Sequence, residues 1–172
     1  MNPLRSRRPL RHIQRKGALV LTAALSFLLV MCSTVPITGR KQLSLIPSSQ
    51  ILGMSYSEYG NFLKSNKVSS DQQATAMIKR VGGRIQGAVE SYFKEKGLEE
   101  ELKDYRWEFN LVEDKAVNAW CMPGGKVVFY TGILPITQTE EGVAVVMGHE
   151  VAHAVAEHGN ERMSQGLLAQ LG

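Results

Sequence analysis

Three observations predict an α+β fold. Two stretches of helical periodicity come first, period-two alternation begins near residue 105, and a last helical stripe carries three of the four histidines. The expected order is N-terminal helices, then a small antiparallel sheet built on a hairpin, then the histidine-bearing helix. At 172 residues the chain has room for one modest domain behind its opening segment.

The opening segment is basic, then apolar. Arg5, Arg7, Arg8, Arg11, Arg15 and Lys16 are six of the 20 basic residues, and no acidic residue precedes Glu58. From Cys32 onward 14 basic residues stand against 16 acidic ones, a net charge of −2, although the whole chain carries +4. The basic excess therefore belongs to the first sixteen residues, and no basic patch downstream supports a nucleic-acid partner. Residues 18–31 are apolar and uncharged. Basic followed by apolar is the layout of a secretory signal, so the rest of the chain is expected on the extracytoplasmic side.

Two tethers fit this start. Leu29-Val30-Met31-Cys32 resembles a bacterial lipoprotein signal, in which the cysteine becomes the lipidated first residue, although Met31 is larger than usual before it. The alternative is an uncleaved anchor, since residues 17–37 form a charge-free stretch of 21 residues, close to the ~20 that span a bilayer. The polar Ser33-Thr34 after Cys32 favours the lipoprotein. Residues 1–32 are thus read as signal or anchor, 33–47 as a turn-rich tether with Pro36, Gly39 and Pro47, and 48–172 as the front of a domain.

Ser48 or Ser49 is expected to cap a helix reaching Lys64, with Ile51, Leu52, Tyr59, Phe62 and Leu63 inward. A longer helix follows from Asp71, where Ala74, Met77, Ile78, Val81, Ile85, Ala88, Val89 and Tyr92 recur at spacings of three and four. Gly82-Gly83 inside it implies a close helix contact or a kink. Both helices read as scaffold.

Tyr105, Trp107, Phe109 and Leu111 then alternate with Arg106, Glu108 and Asn110, the pattern of a half-buried strand. Residues 117–122 and 126–130 are two further apolar runs, and Pro123-Gly124-Gly125 between them predicts a hairpin. Cys121 is read as a small buried residue; with Cys32 lipidated it has no disulfide partner and makes no thiolate zinc site.

Thr137-Gln138-Thr139-Glu140 fits a capping box, and Glu140 and Glu141 put negative charge in the first turn, where the helix dipole favours it. Val143, Val146, Met147, Val151 and Val155 form the apolar stripe. Gly159-Asn160 is expected to end or bend this helix, and Glu161 to start another.

The chemistry concentrates in Gly148-His149-Glu150-Val151-Ala152-His153-Ala154-Val155-Ala156-Glu157-His158. His149 and His153, four apart, share one helix face and can grip a single ion. Imidazole nitrogen suits zinc, which lowers the pKa of a bound water towards ~7 and polarises a carbonyl. Glu150, beside the first histidine, can take the water's proton and pass it to a leaving amine. The expectation is one zinc ion per chain on His149 and His153, with Glu150 catalytic. Two protein ligands fall short of the three usual at catalytic zinc. Glu157 and His158 are read as structural, His158 lying one residue short of the third-histidine position of metzincins.

Three segments carry a family resemblance. Asn118-Ala119-Trp120-Cys121-Met122-Pro123-Gly124-Gly125, then Val127-Val128-Phe129-Tyr130-Thr131-Gly132-Ile133-Leu134, then Gly148 to His153 with His158 resemble, in order, the HExxH zinc endopeptidases. That family includes the CAAX prenyl proteases, the HtpX-like membrane proteases and the mitochondrial overlapping-activity protease. Thr38-Gly39-Arg40-Lys41-Gln42-Leu43 resembles the opening of its lipoprotein members. The resemblance implies a zincin-like α+β fold, a strand edge near the metal helix that holds the substrate backbone, and a third zinc ligand, a glutamate, on a later helix. No such acidic segment precedes Gly172, so that ligand is expected beyond it. Asn118 is the best polar candidate near the edge, as a structural hydrogen bonder.

The expected function is zinc-dependent cleavage of proteins at the cell envelope, with quality control as the task. The rivals are a membrane-tethered module without a competent metal site and a zinc hydrolase of a non-peptide amide.

Overall fold

The computed structural model describes residues 32–35 and 37–171. Residues 18–31, the apolar run of the expected export signal, lie outside the described residues. Among those described, no helix is long and apolar enough to cross a membrane.

Two scaffold helices open the domain where periodicity places them. Neither Ser48 nor Ser49 caps the first, because the helix already begins at Ser48 and Pro47, at its N-cap, offers no side-chain hydrogen bond. Helix α1 spans Ser48–Ser65, with Ile51, Ser55 and Tyr59 buried four apart on one face. Helix α2 spans Gln72–Glu95; the Asp71 carboxylate caps it by accepting the Ala74 N–H at 2.9 Å. The Gly82-Gly83 pair marks a close contact, because the Phe109 ring fills the place a Gly82 side chain would take, and the helix runs through unbroken.

Three strands form the central sheet in the order β3-β5-β4: β3 Glu108–Val112, β4 Ala119–Met122 and β5 Lys126–Tyr130. The expected β4–β5 hairpin is present, pairing Ala119 with Phe129 and Met122 with Lys126. Its turn needs glycine twice. Gly124 and Gly125 have φ of +84° and +80°, and Tyr56 and Trp107 pack where their side chains would stand. Strand β3, shorter than the alternation suggests, joins the far side of β5 in parallel, matching Glu108 with Lys126. The sheet is therefore mixed where an antiparallel one was expected. The cause is the link of residues 113–118, which carries the chain past the end of β5 before β4 turns back. That passage is close: the Gly132 N–H donates to the Asp114 carbonyl at 2.8 Å, and the Lys115 and Ala116 carbonyls lie against Gly132.

Period-two alternation sorts the strand residues to two faces. Phe109, Leu111, Ala119, Val127 and Phe129 meet Ile78 and Val81 of α2 and Val143, Met147 and Val151 of the histidine helix. Val112 and Val128 meet Tyr59 on the other side, flanked by Phe62, Trp120 and Tyr130. Covered by helices on both faces, β5 is buried along almost its whole length. The arrangement is α+β, as the sequence predicts.

Two further helix boundaries differ from expectation. A short turn of helix, α3 Leu134–Thr137, takes up Thr137, so the cap of the next helix, α4 Glu140–Val155, falls to Thr139, whose hydroxyl accepts the Gly142 N–H at 3.2 Å. Gly142 has no side chain to reach back, and no capping box forms. Helix α4 also ends before Gly159-Asn160. Ala156 closes it, Glu157 turns to φ +55°, and α5 begins at once over His158–Leu171.

The expected tether carries structure of its own. Strands β1 Cys32–Thr34 and β2 Lys41–Leu43 form a small antiparallel pair, with Cys32 opposite Leu43. The chain beyond β2 is strapped to α5. Asn160 donates to the Ser44 hydroxyl and the Ile46 carbonyl at 3.0 and 3.1 Å, and the Leu45 N–H donates to Ser164. Arg40 forks onto both carboxylate oxygens of Glu161, at 2.9 and 2.6 Å. Asn160 and Ser164 are buried beneath this strap.

Candidate metal site on helix α4

Helix α4 is fixed before its histidines are considered. Val143, Met147, Val151 and Ala154 recur every three or four residues and are buried against the sheet and α2. Burying that stripe turns His149 outward to solvent and leaves Glu150 and His153 half-buried along the margin. The margin overlies β4, an edge strand of the sheet.

His149 and His153 meet as their spacing requires. Their Nε2 atoms are 3.0 Å apart, with the rings at 88° to each other. Two bare imidazole lone pairs at that distance repel, so the contact needs a shared proton or a cation between the nitrogens. Zinc–nitrogen bonds of ~2.0–2.1 Å allow one ion to reach both atoms as they stand. The pair therefore suits a zinc-like cation. Among the described residues no group of three or more His, Cys, Asp or Glu side chains is placed to hold a metal.

Glu150 is one residue along from His149 and faces the sheet margin. Its charge bears on Cys121 of β4, whose thiol is pushed up to about 12, mainly by burial and then by this carboxylate. Cys121 packs against the main core but is only partly enclosed. A thiol held protonated in this way is no nucleophile at neutral pH.

The two residues read as structural separate here. Glu157 faces the strap, where its carboxylate accepts from the Ser48 hydroxyl at 3.3 Å and from the Gln42 amide at 3.4 Å. It also lines a cavity of about 60 Å³ together with Tyr105, Phe93 and Pro123. His158 instead turns back to the site, and its Nδ1 is 2.6 Å from Nδ1 of His153. Asn118 has an exposed side chain, and its backbone carbonyl accepts the Tyr130 N–H at 3.1 Å.

Sequence reasoning missed a polar cluster behind the hairpin. Lys126 is buried, pairs with Glu108 at 3.1 Å and lies over the rings of Tyr56 and Tyr59. Tyr59 accepts from the Asn110 amide at 2.9 Å. The missing signal was register, because Glu108 and Lys126 become neighbours only once β3 pairs in parallel with β5.

Residues 79–172 match peptidase family M48. The mitochondrial metalloendopeptidase OMA1 of Schizosaccharomyces pombe is 43% identical over 63 residues, 37% of this chain and 19% of its own length. That of Saccharomyces cerevisiae is 37% identical over 86 residues, 48% of this chain and 25% of its own. The cattle protein is 27% identical over 129 residues, 75% of this chain and 24% of its own. The chain spans a quarter or less of the length of these relatives.

Proposed function

The chain belongs to peptidase family M48, and we propose that it is the metal-binding front of a zinc-dependent endopeptidase that cuts proteins at the cell envelope. The observation that carries this reading is the His149–His153 pair, with Nε2 atoms 3.0 Å apart on a helix lying over an edge strand. The yeast relatives, metalloendopeptidases by name, support it.

In this reading His149 and His153 would hold one zinc ion, which would supply a Lewis acid and an acidified water near neutral pH. Glu150 takes a proton from the attacking water and returns it to the amine as the peptide bond breaks. Strand β4 has one edge paired with β5, and its other edge offers backbone N–H and C=O groups to an extended substrate. Such pairing reads backbone more than side chains, which suits an enzyme that removes damaged proteins of varied sequence.

Attachment to the membrane rests on the N-terminal segment. The basic-then-apolar opening supports export, and Cys32 supports a lipid anchor over an uncleaved helix. The relatives' names place them in mitochondria, so an extracytoplasmic membrane setting for this chain rests on its own first 32 residues.

Glu150→Gln in the intact protein tests the mechanism, because the amide keeps size and hydrogen bonding but cannot act as base. Zinc content should stay near that of the parent while casein cleavage falls by about 100-fold or more. Near-normal cleavage by this variant would remove Glu150 from the mechanism. A second reading is a tethered module without catalysis. It requires that the parent protein cleave no casein even when loaded with zinc.

A further inference from the structure

On an unbroken helix, residues five apart point about 140° away from each other, because each residue turns ~100°. His158 would then face away from His153. It does not, because α4 stops at Val155 and a single residue in the left-handed region, Glu157 at φ +55°, redirects the chain before α5 starts at His158. The result is a contact of 2.6 Å between the two Nδ1 atoms, with the rings tilted at 56° and their centroids 4.9 Å apart.

A non-glycine residue at positive φ is strained, and it persists only where its surroundings hold it. Glu157 is held by Ser48 and Gln42 through its carboxylate. The next turn is held by Asn160 and Ser164 through the strap and by the Arg40–Glu161 fork. These bonds converge on the joint that aims His158. The inference rests on the reading of His149 and His153 as zinc ligands.

We propose that His158 is a positioning residue for the metal site: its Nδ1 accepts the Nδ1–H of His153 and commits His153 to the tautomer whose Nε2 is bare and directed at His149. A neutral imidazole carries one N–H, so a proton held on Nδ1 is a proton kept off Nε2. The same bond fixes the ring about its side-chain torsions, which lessens the ordering needed when an ion arrives. Metal-bound histidines ordinarily have such a partner on the second nitrogen, and its loss costs about 10–100-fold in metal affinity. In this chain the partner is a third histidine, delivered by a helix break.

The test uses the full chain in detergent, zinc-free and labelled with ¹⁵N, with His158→Phe and His158→Gln beside it. Phenylalanine fills the space but accepts no hydrogen bond, whereas the glutamine amide oxygen can accept one. Ring nitrogen shifts should place the His153 proton on Nδ1 in the parent and in His158→Gln, but not in His158→Phe. Competition with a chromophoric chelator should show zinc held about 10–100-fold more weakly by His158→Phe, with most of the loss recovered in His158→Gln. A parent in which His153 carries its proton on Nε2 overturns the proposal, and so does equal zinc affinity in His158→Phe. If circular dichroism shows that His158→Phe does not fold, the parent's nitrogen shifts and the affinity of His158→Gln decide. A parent that binds no zinc overturns the reading of His149 and His153 as a zinc site in this chain, while its nitrogen shifts still settle whether His158 holds the His153 proton.

Discussion

Gly82 and Gly83 are adjacent in α2 yet have opposite tasks. The Phe109 ring occupies the space beside Gly82, while nothing lies within 4 Å of a side chain added at Gly83. Gly82→Ala should therefore destabilise the domain by roughly 1–3 kcal/mol, the cost of forcing a methyl into a packed contact. Gly83→Ala should stabilise it by roughly 0.5–1 kcal/mol, the ordinary preference of a helix interior for alanine. Chemical denaturation of both variants checks the pair, and equal effects would mean that the helix and Phe109 do not meet as described. Sequence could pose this question but not answer it, because the two glycines differ only in what a distant strand brings to them. The histidine pair is the contrary case. His149 and His153 were legible because a four-residue spacing on a helix fixes their relation locally. The His158 contact was not, since it turns on the backbone angle of Glu157, and no residue type announces a glutamate in the left-handed region.

Among the elements, helix existence was readable and helix ends were not. The start of α2 at Asp71 is legible, while Thr137 loses its capping place to Thr139 because α3 uses it. The strap over α5 was the largest omission. Residues 33–47 have the turn residues of a linker, but a linker becomes structure when a distant surface satisfies its backbone, and Asn160 and Ser164 do that here. One part of this strap should respond to acid. Arg40 holds the Glu161 carboxyl below its ordinary value of 4.5, chiefly through their hydrogen bonds. A depressed carboxylate contributes stability that is present above the ordinary value and lost as pH falls through the lowered one. The stability gap between the parent and Arg40→Ala should thus be open at neutral pH and close progressively below pH 4.5. Because the pair is exposed, the gap is small and salt narrows it. A gap that stays constant from neutral pH to well below the ordinary carboxylate range would show that Arg40 acts by packing instead.

For the molecule as a whole, charge bears on the proposed attachment to a membrane. From Cys32 onward acidic residues outnumber basic ones, 16 to 14, so the domain has no net positive charge with which to adhere to an anionic bilayer. The proposed attachment would then fall to the N-terminal segment, whose described end lies in a strand pair that leads to α5. Cys32 pairs with Leu43 in the β1–β2 ladder, and the residues just beyond Leu43 bind α5, which follows α4 after one turn. A lipid on Cys32 would therefore stand at the end of a strand paired with β2, whose following residues bind α5. One acyl chain binds a membrane only marginally, whereas the several chains of a lipidated cysteine hold it firmly. Cys32→Ser should on this account release the protein from membranes or leave a larger, unprocessed precursor, detected by fractionation and intact mass. A processed protein also loses residues 1–31 and with them six basic residues, so its isoelectric point should fall well below that of the precursor. A variant of unchanged mass that stays in the membrane would point instead to an uncleaved helix from Gly17.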